Sequence, residues 1–315
     1  MIAAAVSAPA IARAQTAWPT KPIRWIVNFP PAGAADIMSR ALAEWFGTKL
    51  GQPIVVENKP GAGGMLGADI VAKAHSDTHI VMISSAASHG IGPVLYKDVP
   101  YDPLADFTHI HLVGTFPSVL AVNAASPVMS VKELVDMARA KPGEINYGSG
   151  GNGTMNHLVG QLLMRETGVP FTHIPYRGSA PAMNDLLSGQ ITALMESLPT
   201  AIGYFTSKRM RPLAVSEAER APTLPDTPTF REAGFPEVVA TNWFGFSAPA
   251  GIPPELAKRW EVEIAAALQS DQIKGHFDRI GIRPGTLGSE AYTALIRSEL
   301  ARWREVIRVG NIRAD

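Results

Sequence analysis

Cysteine is missing from the 315 residues altogether. That removes disulfides, thiolate nucleophiles and cysteine-based metal sites. Neither sign of charge is in excess, since Lys+Arg and Asp+Glu each number 28. A balanced chain carries no electrostatic footprint for nucleic acid and no general bias toward a membrane surface. Charge is also sparse, at 18% of residues against 46% hydrophobic, which provides for a large core without lipid. Past the N-terminus no stretch approaches the roughly 18 consecutive apolar residues of a membrane-spanning helix, so the mature protein is expected to be soluble. Catalytic signatures are lacking too: there is no G-x-S-x-G elbow, no H-E-x-x-H pair and no Walker A sequence. Gly61-Ala62-Gly63-Gly64 follows an apolar run, but its spacing is wrong for a dinucleotide loop and Pro60 interrupts it. No cofactor, no metal and no enzymatic activity are expected.

What the chain does have is a repeated strand–loop–helix junction. Residues 23–29 read as a strand from their apolar, β-rich composition. Pro30-Pro31-Ala32-Gly33-Ala34-Ala35-Asp36 follows as a tight loop of small residues. From Ile37 a helix is expected, with Met38, Ala41, Leu42, Trp45 and Phe46 at i, i+3, i+4 spacing and Gly51 at its end. The plan recurs at 144–147 (strand), Gly148-Ser149-Gly150-Gly151-Asn152-Gly153-Thr154 (loop) and Met155 onward (helix). Each junction leaves backbone N–H groups unpaired at a helix start, and small residues let a ligand approach them. The macrodipole favours an anion there by about 0.3–1 kcal/mol per contact. Two such junctions suggest two lobes facing one ligand across a cleft.

The length suits about two α/β domains. Residues 1–14 are mostly small and apolar, and Ala12-Arg13-Ala14 before Gln15 resembles an A-x-A cleavage site. We read them as a signal-peptide remnant without its basic n-region, which predicts export of the mature protein. Strands are expected at 54–58 and at 79–83, the latter running into a hydroxyl-rich loop, Ser84-Ser85-Ala86-Ala87-Ser88-His89. The βαβ rhythm predicts a mostly parallel sheet, with ligands gathering at strand C-termini. Apolar segments at 111–114 and 118–122 flank Thr115-Phe116-Pro117, where the chain is expected to cross between lobes. It returns near Thr241-Asn242-Trp243. The expected division is therefore lobe 1 at 15–115, lobe 2 at 116–236 and lobe 1 again at 237–315. Ser130-Val131-Lys132-Glu133 is a capping box, and Arg177-Gly178-Ser179-Ala180-Pro181 leads into a further helix.

Among single residues, Asp36 near the first helix start is expected to cap that helix. His157, one turn into the helix after the second loop, is expected to orient that loop. Glu196, at the end of a strand, is a candidate to meet a ligand amine or hydroxyl, with a surface role the equal alternative. His109 and His111 share one strand face, but no third metal ligand accompanies them.

Taken in order, these segments resemble the Bug-type periplasmic solute receptors of tripartite tricarboxylate transporters. The resemblance rests on Trp18-Pro19-Thr20-Lys21-Pro22, Phe29-Pro30-Pro31-Ala32-Gly33 with Asp36, and Glu57-Asn58-Lys59-Pro60-Gly61. It extends through Tyr101-Asp102-Pro103, Gly150-Gly151-Asn152-Gly153-Thr154 with His157, Pro175-Tyr176-Arg177-Gly178-Ser179, Leu224-Pro225-Asp226 and Trp243-Phe244-Gly245, nearly the whole mature chain. It implies an α/β, two-lobed type II periplasmic binding protein fold that closes on a small carboxylate and hands it to two membrane subunits. It also implies ligand contacts from Phe29, Pro31, Ala32, Gly33 and Asp36, and from Ser84, Ser85 and Ala86. On the second lobe the implied contacts are Gly150, Asn152, Gly153, Thr154, His157, Gly178, Ser179, Ala180 and Glu196. A monomer suits such a receptor. Ala34-Ala35 stand where family members often carry glycine or a hydroxyl residue, and Ser76-Asp77-Thr78-His79 departs from the usual Asp-Gly-Tyr-Thr turn. A ligand sensor for a membrane kinase and an α/β enzyme using His157 or Glu196 as base are the alternative readings.

Overall fold

The computed structural model describes residues 18–313. The expected signal-peptide remnant at 1–14 lies outside the described residues. Strand and helix alternate from the start. β1 (Ile23–Val27), α1 (Ala34–Leu50), β2 (Ile54–Asn58), α2 (Met65–Ala72) and β3 (Ile80–Ser85) form a parallel unit with β1 between β2 and β3. A π-helical turn, Ala86–Ile91, and the short α3 (Gly92–Leu95) follow β3. After β4 (Phe107–Asn123) come α4 (Val131–Ala140), β5 (Asn146–Ser149), α5 (Met155–Thr167) and β6 (Thr172–Pro175). Then come α6 (Ser179–Ser188), β7 (Ala193–Ser197), α7 (Leu198–Thr206) and β8 (Met210–Val215). β9 (Thr241–Pro249), α8 (Pro254–Gln269), α9 (Asp271–Arg279), β10 (Arg283–Pro284) and α10 (Ser289–Gly310) complete the chain.

The strands lie in the order β2-β1-β3-β9-β4-β7-β5-β6, with β8 and β10 also pairing to β4. The expectation of a mostly parallel sheet holds only at the two ends. β1, β2 and β3 are parallel at one, and β5, β6 and β7 at the other. The centre is antiparallel, because β4 leaves the first end and β9 comes back beside it. The two apolar segments expected around Thr115-Phe116-Pro117 are one continuous 17-residue strand, β4. Its first part pairs with β9 up to Pro117↔Thr241, and from Ser118 it pairs with β7. Pro117, which has no N–H to give, sits where the strand exchanges partners.

One core lies under the first end of the sheet. There Trp25 (β1), Phe46 (α1), Phe246 (β9) and Trp260 (α8) are all buried, with ring centroids 4.8–6.5 Å apart. Another lies under the far end and takes in Leu158 and Leu162 of α5 together with Trp303 of α10. The α4 capping box forms as expected, Ser130 Oγ accepting from Glu133 N at 3.1 Å. Glu133 reaches back to Met129 N at 2.7 Å.

Candidate functional site

The first junction is tighter than its sequence suggested. β1 ends at Val27 and α1 begins at Ala34, three residues before Ile37. Gly33 is the N-cap and supplies no side-chain hydrogen bond, so the first-turn N–H groups are left open. Asp36 is therefore not the cap. It is buried in the first turn, and its carboxylate accepts from Ala32 N (3.0 Å), Arg40 Nε (2.9 Å) and Asn58 Nδ2 (2.9 Å). Asn58 also donates to Phe29 O at 3.0 Å. The carboxylate thus braces the loop against α1 and β2 from behind. Burial pushes its pKa up, but the hydrogen bonds from Arg40, Ala32 and Asn58 outweigh that and hold it below the usual 3.8.

The second junction is held by its own side chains. Thr154 caps α5, its Oγ accepting from His157 N at 3.3 Å and donating to Gly151 O at 2.7 Å. His157 Nδ1 accepts from Gly153 N at 3.4 Å, and its ring stacks on His173 at 4.4 Å. His173 in turn meets Ser149 Oγ at 2.7 Å. Burial lowers the His157 pKa to about 4; burial together with the His157 charge lowers that of His173 to about 3. Unfolded, both titrate near 6.5. Stability from this pair is therefore full above pH 6.5 and is lost as the pH falls from there through about 4 for His157 and about 3 for His173, because the unfolded chain binds protons the native state refuses. Denaturant titrations between pH 7.5 and 4 should show that decline, shallower in His173→Gln. An identical slope in the variant would refute the assignment.

The two junctions face each other across a cavity of about 90 Å³. One wall comes from Phe29, Pro30, Pro31 and Gly33 through Ala35, continued by Ser85, Ala86 and Ala87 after β3. The opposite wall is Gly150, Thr154, Met155 and residues 177–181. Asn156, Ser197, Asn242, Trp243 and Phe244 close the hinge side. α6 starts there with Gly178 as N-cap and no side-chain cap, so the Ser179 and Ala180 N–H groups open toward the cavity, Pro181 having none to give. Arg177 is the only charged side chain in the wall among the described residues. The walls meet where the Gly178 backbone approaches Pro30: a Cβ on Gly178 would lie 2.9 Å from Pro30 Cγ. Beyond that contact a groove of about 750 Å³ continues, bounded by Gly61 to Gly64, Tyr96 and Asn152.

Of the residues singled out from sequence, Phe29, Pro31, Gly33, Ser85, Ala86, Gly150, Thr154, Gly178, Ser179 and Ala180 line the cavity. Seven do not. Ala32 is exposed, with φ 64°. Asp36 and His157 lie behind their loops. Ser84 is core, 2.8 Å from Ser247 Oγ and 2.7 Å from Tyr292 Oη. Asn152 lines the outer groove, its carbonyl accepting from Tyr96 Oη at 3.2 Å. Gly153 faces Tyr96 and Leu95. Glu196 is fully buried beneath Ser179 and Ser197. His109 bonds Ser247 Oγ and Pro103 O, and His111 bonds Leu112 O, so each ring has a structural partner. Asn156, Ser197, Asn242, Trp243 and Phe244 were missed. Asn156 Oδ1 accepts from Ser118 Oγ at 2.6 Å, and Asn242 Nδ2 donates to the same hydroxyl at 2.8 Å. Trp243 is held by Glu299 Oε2 at 3.1 Å, which also accepts from Trp303.

A cleft between two α/β lobes, walled by helix N-termini and spanned by β4 and β9, defines a two-lobed solute-binding protein of the periplasmic type. The profile of the tripartite tricarboxylate transporter family receptor matches residues 38–312, and the chain belongs to that family. BugT of Bordetella pertussis (strain Tohama I) is 36% identical over 92% of this chain and 90% of its own. Among solved structures, Rpa4515 of R. palustris with adipate has a TM-score of 0.91 at 33% identity, covering 94% of this chain and 99% of that one. MatC of Rhodopseudomonas palustris with bound malate has a TM-score of 0.87 at 27% identity, covering 92% and 100%. The family is one of transporter receptors, not enzymes, and a further neighbour at a TM-score of 0.88 and 31% identity is the periplasmic binding protein BugD.

Proposed function

We propose that this receptor captures a small dicarboxylate in the periplasm and delivers it to two membrane subunits of a tripartite transporter. The observation that carries the proposal is the pair of uncapped helix starts, α1 at Gly33 and α6 at Gly178, opening into one small cavity from opposite sides. Each suits one carboxylate through backbone N–H groups, and Arg177 adds positive charge at the mouth. The adipate and malate carried by the solved relatives support the same ligand class. Phe29, Pro31, Gly33, Ser85 and Ala86 would contact it from lobe 1, and Gly150, Thr154, Gly178, Ser179 and Ala180 from lobe 2. Ala32, Asp36, Ser84, Asn152, Gly153, His157 and Glu196 would shape these contacts from outside the cavity. We take lobe 1 as 15–115 and 237–315, lobe 2 as 116–236, and a monomer exported by a signal peptide ending at residue 14.

A thermal-shift panel of di- and tricarboxylates, acidic amino acids and aromatic acids tests the proposal. A ligand at about 100 times its dissociation constant adds roughly 2.7 kcal/mol of stability. A selective response to dicarboxylates is expected, and a flat response across the panel sinks the ligand assignment.

A further inference from the structure

Glu196 is wholly buried, yet its carboxyl group is arranged one-sidedly. Oε1 accepts from Ser179 Oγ at 2.9 Å and from Ser197 N at 2.7 Å, with Thr200 Oγ1 at 3.0 Å. Oε2 is buried and has no partner among the described residues. Burial pushes the pKa of the group up. A proton, when present, belongs on Oε2, because the Ser197 N–H already points at Oε1. In either state Oε1 remains an acceptor.

The consequence falls on Ser179, which lines the ligand cavity. A hydroxyl has one proton to donate and two lone pairs. Glu196 takes the proton, so Ser179 offers the cavity lone pairs only. The same residue opens α6, whose first-turn N–H groups suit a carboxylate. A carboxylate bound at those N–H groups would bring a substituent on its neighbouring carbon within reach of Ser179, the first residue of α6. A hydroxyl or ammonium there finds an acceptor, whereas a bare methylene leaves the Ser179 lone pair unmatched.

Resting on the dicarboxylate reading above, we propose that Glu196 is a positioning residue that makes Ser179 an obligate acceptor and so selects dicarboxylates bearing a hydrogen-bond donor next to the carboxylate. The compact cavity agrees with a ligand of this small size.

Calorimetric titration with succinate, malate and aspartate tests this. The wild-type protein should bind malate or aspartate at least about tenfold more tightly than succinate, equivalent to about 1.4 kcal/mol. Ser179→Ala should erase most of that ratio by weakening the substituted acids far more than it changes succinate binding. Glu196→Gln keeps an oxygen for Ser179 and Ser197 and should retain the ratio. Glu196→Met, of similar shape, frees the Ser179 proton and should lower the ratio even where the variant is as stable as Glu196→Gln. A wild-type ratio near one, or a ratio that survives Ser179→Ala, overturns the selectivity while leaving the dicarboxylate reading in place. Failure of all three acids to bind the wild-type protein overturns the selectivity, and the dicarboxylate reading falls with it if the full acid panel is silent too.

Discussion

Gly178→Val is expected to weaken ligand binding about a hundredfold or more, close to 2.7 kcal/mol, while each lobe remains folded. Two effects act together at this position. The backbone has φ 109° and ψ 177°, a region essentially closed to residues with a Cβ, where occupancy costs about 1–3 kcal/mol. The Cβ would also stand 2.9 Å from Cγ and 3.3 Å from Cβ of Pro30, a ring that cannot swing aside as a flexible side chain would. Pro30 belongs to the first junction and Gly178 to the second, so the clash opposes closure itself. Gly189→Val separates the two effects. Gly189 ends α6 with φ 79°, and no atom lies within 4 Å of its would-be Cβ. It carries positive-φ strain, of the milder left-handed helical kind, without the contact and should leave affinity nearly unchanged. Isothermal titration of both variants, with circular dichroism to establish folding, checks the pair. Equal loss of affinity in the two would show that strain, not closure, is responsible.

Gly153 is a weaker position for such a variant than Gly178. Gly153 approaches the flexible rim side chains Tyr96 and Leu95, at 3.1 and 3.4 Å from a Cβ, in the outer groove. A bulky residue there displaces side chains; at 178 it meets a ring held by the backbone.

Both junctions were legible because their signals are local. A β-rich run, small residues and an amphipathic helix follow one another within about twenty residues, and periodicity reports them directly. Boundaries were less legible: α1 starts at Ala34 because the two alanines after the extended N-cap Gly33 already take helical backbone, although Ile37 is the first large apolar residue. The role of Asp36 required a register. Val27 pairs with Asn58, which brings the Asn58 amide to the Asp36 carboxylate. No pattern inside residues 30–40 encodes that neighbour. The hinge wall was illegible for the same reason. Asn242 reaches Ser118 across 124 positions, and Trp243 is set by Glu299 from α10. Glu196 was visible as a strand-end carboxylate, but sequence does not tell which way it points. It points inward, which turns an expected ligand contact into a support beneath Ser179.

Trp260→Ala should have the complementary outcome: a large loss of stability with affinity retained. Trp260 is 1% exposed and packs edge-on against Phe46 at 5.2 Å and Trp18 at 5.4 Å, with Phe246 at 4.8 Å. These rings bind α8 to α1, β9 and the segment before β1. Truncating a buried tryptophan costs about 3–5 kcal/mol from lost transfer energy and the cavity left behind. In a chain of 315 residues that lowers the melting temperature by roughly 5–8 °C. The cavity wall is built from Phe29, Gly33 and Ala34 on the near side of α1, and the Asp36 brace holds that loop independently of the indole. The folded fraction of Trp260→Ala should therefore bind ligand within about threefold of wild type, a difference of ~0.7 kcal/mol. Ligand added in excess should raise its melting temperature by the linkage expected from an unchanged dissociation constant. Should affinity fall in step with stability instead, the aromatic cluster would be positioning the first junction directly, and the brace formed by Asp36, Ala32, Arg40 and Asn58 would be insufficient to hold it.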